Sequence, residues 1–282
     1  MRYDGRIYVG VGPTRTLASL ADEIRLNEKR GARAKPFDTR GIRDVSIQDL
    51  DIVRFEREYL PNAVTPEVLA ANERTIDQRL RALRLTDLAG QPTPAAILVL
   101  GKTTQDVFPG AYVQALRIGG MKLTDPIMDQ KTITGTLVDQ VREIDLLIRT
   151  WNRTRADLSG TIRQDVADYP EIALRQLVRN ALMHRSYEMT NTPTRLVWYG
   201  DRIEILSPGG PFGIVTPDKF GEPNVTDYRN PSIADAMKTL GIVERFGYGI
   251  LAARESCAKN GNPEPIFDVR TTHILATIRV RP

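Results

Sequence analysis

Hydrophobic positions recur at helical spacing between residues 170 and 184. Gln176, Asn180 and His184 follow one another at four-residue steps, which rotate only about 40° on a helix, so the three share a narrow polar strip. The neighbouring apolar arc is wide, as expected of a helix packed on a sheet, and consists of Leu174, Leu177, Val178, Ala181 and Leu182. Because amides and an imidazole are good hydrogen-bonding groups, we predict that the strip lines a binding site.

The start of this helix carries its own signals. Asp168 is the predicted N-cap, Pro170 suits the first turn, and Glu171 stands where a capping-box acid belongs. The helix alone leaves two interpretations open, a ligand-binding strip or polar groups satisfied at a helix edge.

A hairpin follows the helix. Alternation predicts strands at 194–199 and 202–206, joined by a two-residue turn, Gly200-Asp201. The second strand runs into Ser207-Pro208-Gly209-Gly210. Glycines after a buried strand let the backbone approach a ligand, although a plain turn would use the same pair.

A second glycine motif opens the last predicted helix. Phe246-Gly247-Tyr248-Gly249-Ile250 leads into a helical pattern over 251–259, which Gly261 closes. The N–H groups and the positive dipole end at such a start favour a phosphate. A tight connection without a ligand is the alternative for this motif taken by itself.

The front half is less informative. We predict a strand over 6–11, a helix from Leu20 to about Lys29 with Ser19 as its cap, a charged connector over 35–60, and one long helix from Thr65 to about Leu85.

An apolar run at 95–100 predicts a strand that leads into Gly101-Lys102-Thr103. This suggests a phosphate loop, but a P-loop needs a second glycine at position 96, which is Ala. We therefore reject that interpretation.

Composition limits the class of protein. A chain of 282 residues with 41% hydrophobic content is large enough for two cores. One cysteine and two histidines exclude a disulfide framework and disfavour zinc. No apolar run approaches a membrane span and no signal peptide is visible, so we expect a cytoplasmic protein with no membrane partner.

The charge is uneven along the chain. The formal net charge is +4, and residues 1–40 hold nine Lys or Arg against five acids, so the basic surplus lies at this end. Lys and Arg contacts to phosphates would bind nucleic acid without sequence choice. A solvated charged face is at least as good an interpretation.

Four segments together resemble a known family: NALMHRSY, DRIEILSPGG, YRNPSIADAMKTLGIVERFGYGI and TTHILATIRV. They are similar to the divergent GHKL (Bergerat-fold) ATP-binding domain of the RecG-helicase C-terminal-like type, over about residues 137–282. In that family the domain commonly follows a Schlafen/AlbA-like domain in predicted transcriptional regulators. IYVGVGPTRTLASLADEIRL resembles the end of that domain.

The resemblance implies an architecture. We expect an α+β fold, with a mixed sheet covered on one face by helices near 138–152, 170–184 and 250–260. It divides the chain into the tail of an AlbA-like domain whose body is missing (1–34), a connector with a smaller α/β linker domain (35–136), and the GHKL-like domain (137–282). Whether the chain is a piece of a longer protein stays open, and a homodimer is compatible with this fold.

The resemblance also implies roles for particular residues. Asn180 would hold Mg²⁺ against the phosphates of ATP or ADP, with His184 on the same strip. The loop 211–231 would be a lid. The remaining nucleotide-binding positions implied are Ser207, Gly209 and Gly210 at the adenine, Gly247 and Gly249 at the phosphates, and Thr272 as support for the adenine. Arg229 and Asn230 match a family motif whose role the sequence does not reveal.

Two departures from the family pattern affect function. Gln176 stands where GHKL enzymes carry the glutamate that activates water, and an amide cannot replace a general base that contributes about 10² to 10⁴ in rate. Ser207 replaces the Asp or Asn that binds the adenine amino group, which weakens binding by roughly tenfold. In addition, Ser186 stands where the family commonly carries an aspartate, so one more carboxylate is missing from the same region.

The expected function is an ATP- or ADP-binding regulatory protein that is at most a slow ATPase. The alternative is a nucleotide-independent DNA-binding or assembly module that keeps the fold as a scaffold. We reject helicase activity because no motor motif is present, and fold alone does not confer function.

Overall fold

The computed structural model describes residues 2–3, 6–11, 14–19, 22–23, 25–26, 36–157, 164–188, 190–243 and 247–282. Within them the strands are β1 (Arg2–Tyr3), β2 (Arg6–Val11), β3 (Thr14–Leu17), β4 (Val113–Ile118), β5 (Ile127–Ile133), β6 (Thr154–Asp157), β7 (Gln164–Ala167), β8 (Thr194–Trp198), β9 (Arg202–Pro208), β10 (Ile266–Val269) and β11 (His273–Arg279). The helices are α1 (Ile52–Arg54), α2 (Leu60–Ala63), α3 (Pro66–Ala71), α4 (Ile76–Ala82), α5 (Pro94–Leu100), α6 (Thr104–Val107), α7 (Leu137–Trp151), α8 (Glu171–His184), α9 (Pro231–Thr239) and α10 (Gly249–Asn260). A π-helical turn, Phe55–Tyr59, joins α1 to α2.

The largest sheet has six strands in the order β10-β11-β9-β8-β4-β5. The pairing of β4 with β8 is parallel and the other pairings are antiparallel, so the sheet is mixed and the predicted α+β fold is confirmed. β4 and β5 lie before the predicted domain boundary at residue 137, yet they belong to the same sheet as the strands after it.

The hairpin of β8 and β9 forms as predicted. Trp198 pairs with Ile203, and the N–H of Tyr199 donates to the carbonyl of Arg202 at 2.8 Å, which leaves a two-residue turn. Side chains alternate along both strands, so one face of each is buried and the other is not.

The main core lies between that buried face and the helices α7, α8, α9 and α10. Trp198 on β8 packs edge-on against Trp151 at the end of α7 and against Tyr169, at ring-centroid distances of 6.1 and 5.4 Å. The helices predicted near 138–152, 170–184 and 250–260 therefore cover one face, as expected.

A second core is formed mainly by residues that precede β4 in the chain. It consists of buried side chains from the segment before α3, from α4 and α5, and from the helices α7 and α9, including Leu50, Phe55, Leu80, Ile97 and Ala236. The charged connector of the sequence is therefore a folded part of the protein.

Residues 94–100 form helix α5, so the predicted strand is wrong. Thr93 caps this helix through its side chain and Pro94 takes the first position, whereas the whole apolar run is buried. A short apolar run does not distinguish a buried strand from a buried helix. The Nζ atom of Lys102 donates to the carbonyl of Gln48 at 2.8 Å, and the segment before it is a helix instead of the strand that a phosphate loop follows.

The predicted long helix over 65–85 is in fact two helices, α3 and α4. Asn72 turns its side-chain amide back to the carbonyl of Val68 at 2.9 Å and ends α3. Thr75 and Gln78 then form a reciprocal capping box that starts α4.

The predicted cap of α8 is also wrong. Pro170 occupies the N-cap position and no side chain caps the helix. Glu171 pairs instead with Arg175 at 3.0 Å, one turn along the same helix.

The strand predicted over 6–11 forms as β2, which pairs with β3. The hydroxyl of Ser19 accepts from the N–H of Asp22 at 3.2 Å, as a helix cap does. Residues 12–13 and most of the predicted helix over 20–29 lie outside the described residues.

Candidate functional site

The polar strip of α8 faces a cavity. Gln176, Asn180 and His184 are partly exposed and line it, while the apolar arc of the helix is buried in the main core. Within the part of the chain that the structure describes, the side-chain amides of Gln176 and Asn180 form no hydrogen bond. The strip is therefore open to a ligand, and the helix-edge interpretation does not fit these two residues.

We call this space the first cavity; its volume is about 140 Å³. Its floor is apolar and consists of Ile205 on β9 with Ile274 and Ala276 on β11. The loop 211–228 covers it on the opposite side, with Phe212, Phe220 and Tyr228 among the lining residues. Flat apolar walls with a polar strip at one side suit an aromatic ring that carries polar groups.

Ser207 lies on the floor beside the strip. It is buried, and its hydroxyl donates to the carbonyl of Ala181 on α8 at 2.8 Å. A hydroxyl that donates its single hydrogen keeps lone pairs with which to accept. Ser207 can therefore accept a hydrogen bond from a ligand but has no second hydrogen to give.

The glycine turn after β9 divides two cavities. Gly210 lines the first cavity. Gly209, at φ +97°, donates its N–H to the carbonyl of Thr272 at 2.8 Å, and both residues line a different, second cavity. Of the predicted adenine residues, the structure thus brings Ser207 and Gly210 to the first cavity but not Gly209 or Thr272.

The glycine-opened start of α10 lies directly against the strip. A Cβ atom built on Gly249 would be 2.9 Å from Nδ2 of Asn180 and 3.2 Å from Oε1 of Gln176, so a larger residue there would push these two amides aside. Gly247, at φ +70°, also lines the cavity, and a Cβ there would be 2.6 Å from Oγ1 of Thr226. The structure therefore brings Gly249 to Asn180 and Gly247 to the same cavity; Phe246 lies outside the described residues.

His184 is covered by a ring of the loop. Its imidazole stacks on Tyr228 with ring centroids 5.4 Å apart and 23° between planes. Desolvation lowers the pKa of His184 to about 4, and the nearby Asp227 carboxylate opposes that shift. At neutral pH the imidazole is uncharged, so it can donate or accept a hydrogen bond but does not attract an anion.

The covering loop is held by contacts that the sequence does not reveal. Asp227 accepts the N–H of Ile214 at 3.2 Å and of Tyr228 at 2.8 Å. Phe220 packs on Phe267 of β10 at 5.3 Å between centroids. The loop is therefore a folded wall of the first cavity.

The motif at Arg229 and Asn230 connects the walls of the site. The amide of Asn230 donates to the carbonyls of Met183 and Arg185 at the end of α8, both at 2.9 Å. Arg229 donates to the carbonyl of Gly210 at 2.9 Å. This motif therefore fixes the end of the strip helix and the glycine turn, a role that sequence reasoning did not identify.

The charge of the first cavity limits what it can hold. Its described lining includes the acids Glu222 and Asp227 and no Lys or Arg. An anion there needs an added cation, and the free amide oxygen of Asn180 suits Mg²⁺, which usually keeps waters and takes few protein ligands. The described residues hold no cluster of three or more His, Cys, Asp or Glu placed to bind a metal by themselves.

The basic N-terminal segment is only partly described. Arg40 pairs with Glu188 at 3.5 Å. Arg25 lines the second cavity. The side chains of six further basic residues lie outside the described part: Arg2, Arg6, Lys29, Arg30, Arg33 and Lys35. Among the described helices, none has the length and apolar character needed to cross a bilayer.

Comparison with known proteins bears on this geometry. Residues 191–278 match a protein family described as "Putative ATP-dependent DNA helicase recG C-terminal". The matched stretch includes the hairpin, Ser207, the glycine turn, the covering loop and the start of α10. No curated protein sequence matches the chain at a significant level.

The fold also has a solved counterpart. The crystal structure of the DIP2311 protein from Corynebacterium diphtheriae superposes with a TM-score of 0.67 at 17% sequence identity. The match covers 99% of this chain and 54% of that one, so the chain spans about half the length of its counterpart. A likeness at this identity shows a shared fold. The family match therefore shows that residues 191–278 are similar to an ATPase-type domain.

Proposed function

We propose that this chain binds ATP or ADP together with Mg²⁺ in the first cavity and hydrolyses ATP slowly or not at all. The observation that carries the proposal is the placement of Asn180 and Gln176, whose amides make no hydrogen bond within the described residues, against the glycine-opened start of α10. The similarity of residues 191–278 to an ATPase-type domain supports it.

Each part of the nucleotide has a matching wall. The apolar floor of Ile205, Ile274 and Ala276 suits the face of an adenine ring, and the hydroxyl of Ser207 can accept a hydrogen bond from its amino group. The N–H groups at the start of α10 suit the phosphates. When bound, Mg²⁺ would neutralise phosphate charge, with the amide oxygen of Asn180 as its protein ligand.

Hydrolysis lacks a general base at the expected position. Gln176 presents an amide, which does not take a proton at neutral pH. Of the two carboxylates in the described lining, Asp227 accepts two backbone N–H groups of the loop, and Glu222 is an exposed residue of the same loop. We therefore infer that the nucleotide acts mainly as a ligand whose binding changes the conformation of the protein, and that its hydrolysis is secondary.

The size of the cavity makes the loop 211–228 part of this function. Sites for small molecules are usually about 300–1,000 Å³, whereas the first cavity measures about 140 Å³. We infer that the loop opens to admit a whole nucleotide and closes on its base. A loop whose position depends on the nucleotide is the means by which a regulatory protein would use ATP or ADP.

The same small volume favours a second candidate, in which the fold is a scaffold that binds DNA or assembles without a nucleotide. A thermal-shift experiment separates the two, because only ligands of the folded state raise its stability. The ligands are ATP with Mg²⁺, ADP with Mg²⁺ and a short DNA duplex. Saturation at a hundred times the dissociation constant raises the melting temperature by roughly 5–10 °C.

The proposal predicts this rise with ATP or ADP for the wild type and its loss in Asn180→Ala. The matched control is Asn62→Ala, an exposed position whose amide donates to the carbonyl of Glu58, outside the cavity. A rise with the duplex alone would support the scaffold and reject nucleotide binding.

A further inference from the structure

A second cavity lies beyond the glycine turn, on the other face of the sheet. Its volume is about 420 Å³, within the range of small-molecule sites. Arg195 on β8 lines it and is exposed, whereas its neighbours Thr194 and Leu196 point into the core. Alternation along a strand therefore places this cavity opposite the helices that carry the polar strip.

The lining of the second cavity is basic. Arg25, Arg195, Arg229 and His273 contribute cationic or imidazole groups. Hydroxyl groups of serine and threonine, including those of Ser186 and Thr192, add hydrogen-bond donors. The described lining contains no Asp or Glu, which is the reverse of the first cavity.

A buried arginine lies directly behind this wall. Arg185 is 1% exposed and donates to the carbonyls of Thr192 at 2.9 Å and Ser186 at 3.4 Å, both in residues that line the cavity. Its Nη1 atom has no hydrogen-bond partner, and no described carboxylate forms an ion pair with it. Because a buried charge without a counterion is costly, an anion in the adjacent cavity would offset that cost.

Arg195 differs from Arg202, the arginine on the neighbouring strand β9. Arg202 pairs with Glu204 at 2.7 Å and with Asp201 at 2.9 Å, so its charge is balanced within the hairpin. Arg195 faces Leu206 across the strands and forms no ion pair within the described residues. Its charge is therefore available to a ligand of the cavity.

We propose that the second cavity binds a phosphate group, with Arg195 as its principal cationic contact and the surrounding hydroxyls as donors. Guanidinium groups suit phosphate because they give two parallel charge-assisted hydrogen bonds. The site adjoins the first cavity at Gly210 and Pro211, and the proposal does not depend on nucleotide binding in the first cavity. The phosphate can belong to a small phosphorylated molecule or to a nucleic-acid strand, and the volume of about 420 Å³ favours the small molecule.

The test uses the full chain and two probes. Calorimetry measures the binding of inorganic pyrophosphate, and fluorescence anisotropy measures the binding of a short single-stranded DNA oligonucleotide. The variants are Arg195→Gln and the control Arg81→Gln, which removes the same charge from an exposed position on α4 outside the cavity. Circular dichroism checks that both variants are folded.

We expect pyrophosphate to bind the wild type and Arg81→Gln alike, and to bind Arg195→Gln at least about tenfold more weakly. The same pattern with the oligonucleotide alone assigns the phosphate to a nucleic-acid strand. Failure of both probes to bind, or unchanged binding by Arg195→Gln, overturns the proposal. Asn180→Ala should leave pyrophosphate binding intact, which separates this result from the proposed function.

Discussion

Three polar residues of α8 define the site at the scale of single residues. Their four-residue spacing was enough to predict that Gln176, Asn180 and His184 share one side of a helix, because that follows from helix geometry alone. The structure adds that they line a cavity. The contacts of Asn230 with the end of α8 were beyond prediction, because they join positions more than 40 residues apart.

Gln176 gives a prediction about hydrolysis. Gln176→Glu places a carboxylate of nearly the same size beside Asn180 and Gly249, where it can accept a proton from water. We expect ATP hydrolysis to rise by about a hundredfold or more over the wild type, measured as phosphate release. Gln114→Glu, which adds the same charge at an exposed position on β4, should not change the rate. If nucleotide binds to Gln176→Glu but the rate stays at background, position 176 is not the base position.

Asp38 gives a prediction about pH. It is buried and accepts the N–H groups of Ser232 at 2.6 Å and Ile233 at 2.9 Å, so it caps α9, while its Oδ1 atom has no hydrogen-bond partner among the described residues. Desolvation raises the pKa of Asp38 from 3.8 to about 6, against the effect of those two N–H groups.

The Asp38 carboxyl holds its proton more tightly in the folded state than in the unfolded state. The stabilisation from this protonation is therefore complete below about pH 4 and is lost as the pH rises through about 6. Asp38→Asn keeps an acceptor for α9 and removes the titration. Relative to Asp38→Asn, the wild type should lose about 2–3 kcal/mol of unfolding free energy between these pH values. Urea unfolding at several pH values measures it, and parallel curves for the two proteins would show that Asp38 does not titrate in this range.

At the scale of elements, hydrophobic periodicity predicted α8, α10 and the β8–β9 hairpin, and the family resemblance supplied α7. Periodicity failed at α5, where a short apolar run suits a helix and a strand equally, and at α3 and α4, where Asn72 and the Thr75 capping box break the predicted helix. The end signals at Thr93-Pro94 and Thr75 were present in the sequence, and they outweigh hydrophobicity in both places.

The junction of α8 with α9 depends on the donor group of Asn230. Asn230→Asp replaces two donated hydrogen bonds by a buried carboxylate that faces two carbonyl oxygens, so we expect a loss of at least about 3 kcal/mol in unfolding free energy. Chemical denaturation at neutral pH measures the loss. Asn224→Asp, at an exposed position, makes the same chemical change and should be nearly neutral. Equal stability of the two variants would contradict the role assigned to Asn230.

The approach of α10 to α8 depends on Gly249. A methyl group there would displace the amides of Asn180 and Gln176, although alanine is the better helix former. We expect Gly249→Ala to bind ATP at least about tenfold more weakly, with an unfolding free energy within about 1 kcal/mol of the wild type. The control is Gly200→Ala in the β8–β9 turn, where a Cβ meets its nearest neighbour at 3.5 Å. Unchanged ATP affinity in Gly249→Ala would show that Gly249 is not part of the ATP-binding site.

At the scale of the whole molecule, one sheet supports two cavities of opposite charge character. The first faces the helices and has acids in its described lining, and the second lies on the other face and is lined by arginines. Patterns along the chain did not reveal the second cavity, because its walls come from β8, β9, β11 and the N-terminal segment. Nor did they predict that β4 and β5 extend the sheet, since strand order depends on contacts between distant segments.

The central claim is that Asn180 holds a cation that accompanies a nucleotide in the first cavity. Calorimetric titration of ATP into the wild type and Asn180→Ala, each with and without Mg²⁺, tests it most directly. The account predicts that Mg²⁺ strengthens ATP binding to the wild type and gives no comparable gain in Asn180→Ala. The absence of ATP binding to the wild type at millimolar concentration, or an equal effect of Mg²⁺ on both proteins, would contradict it.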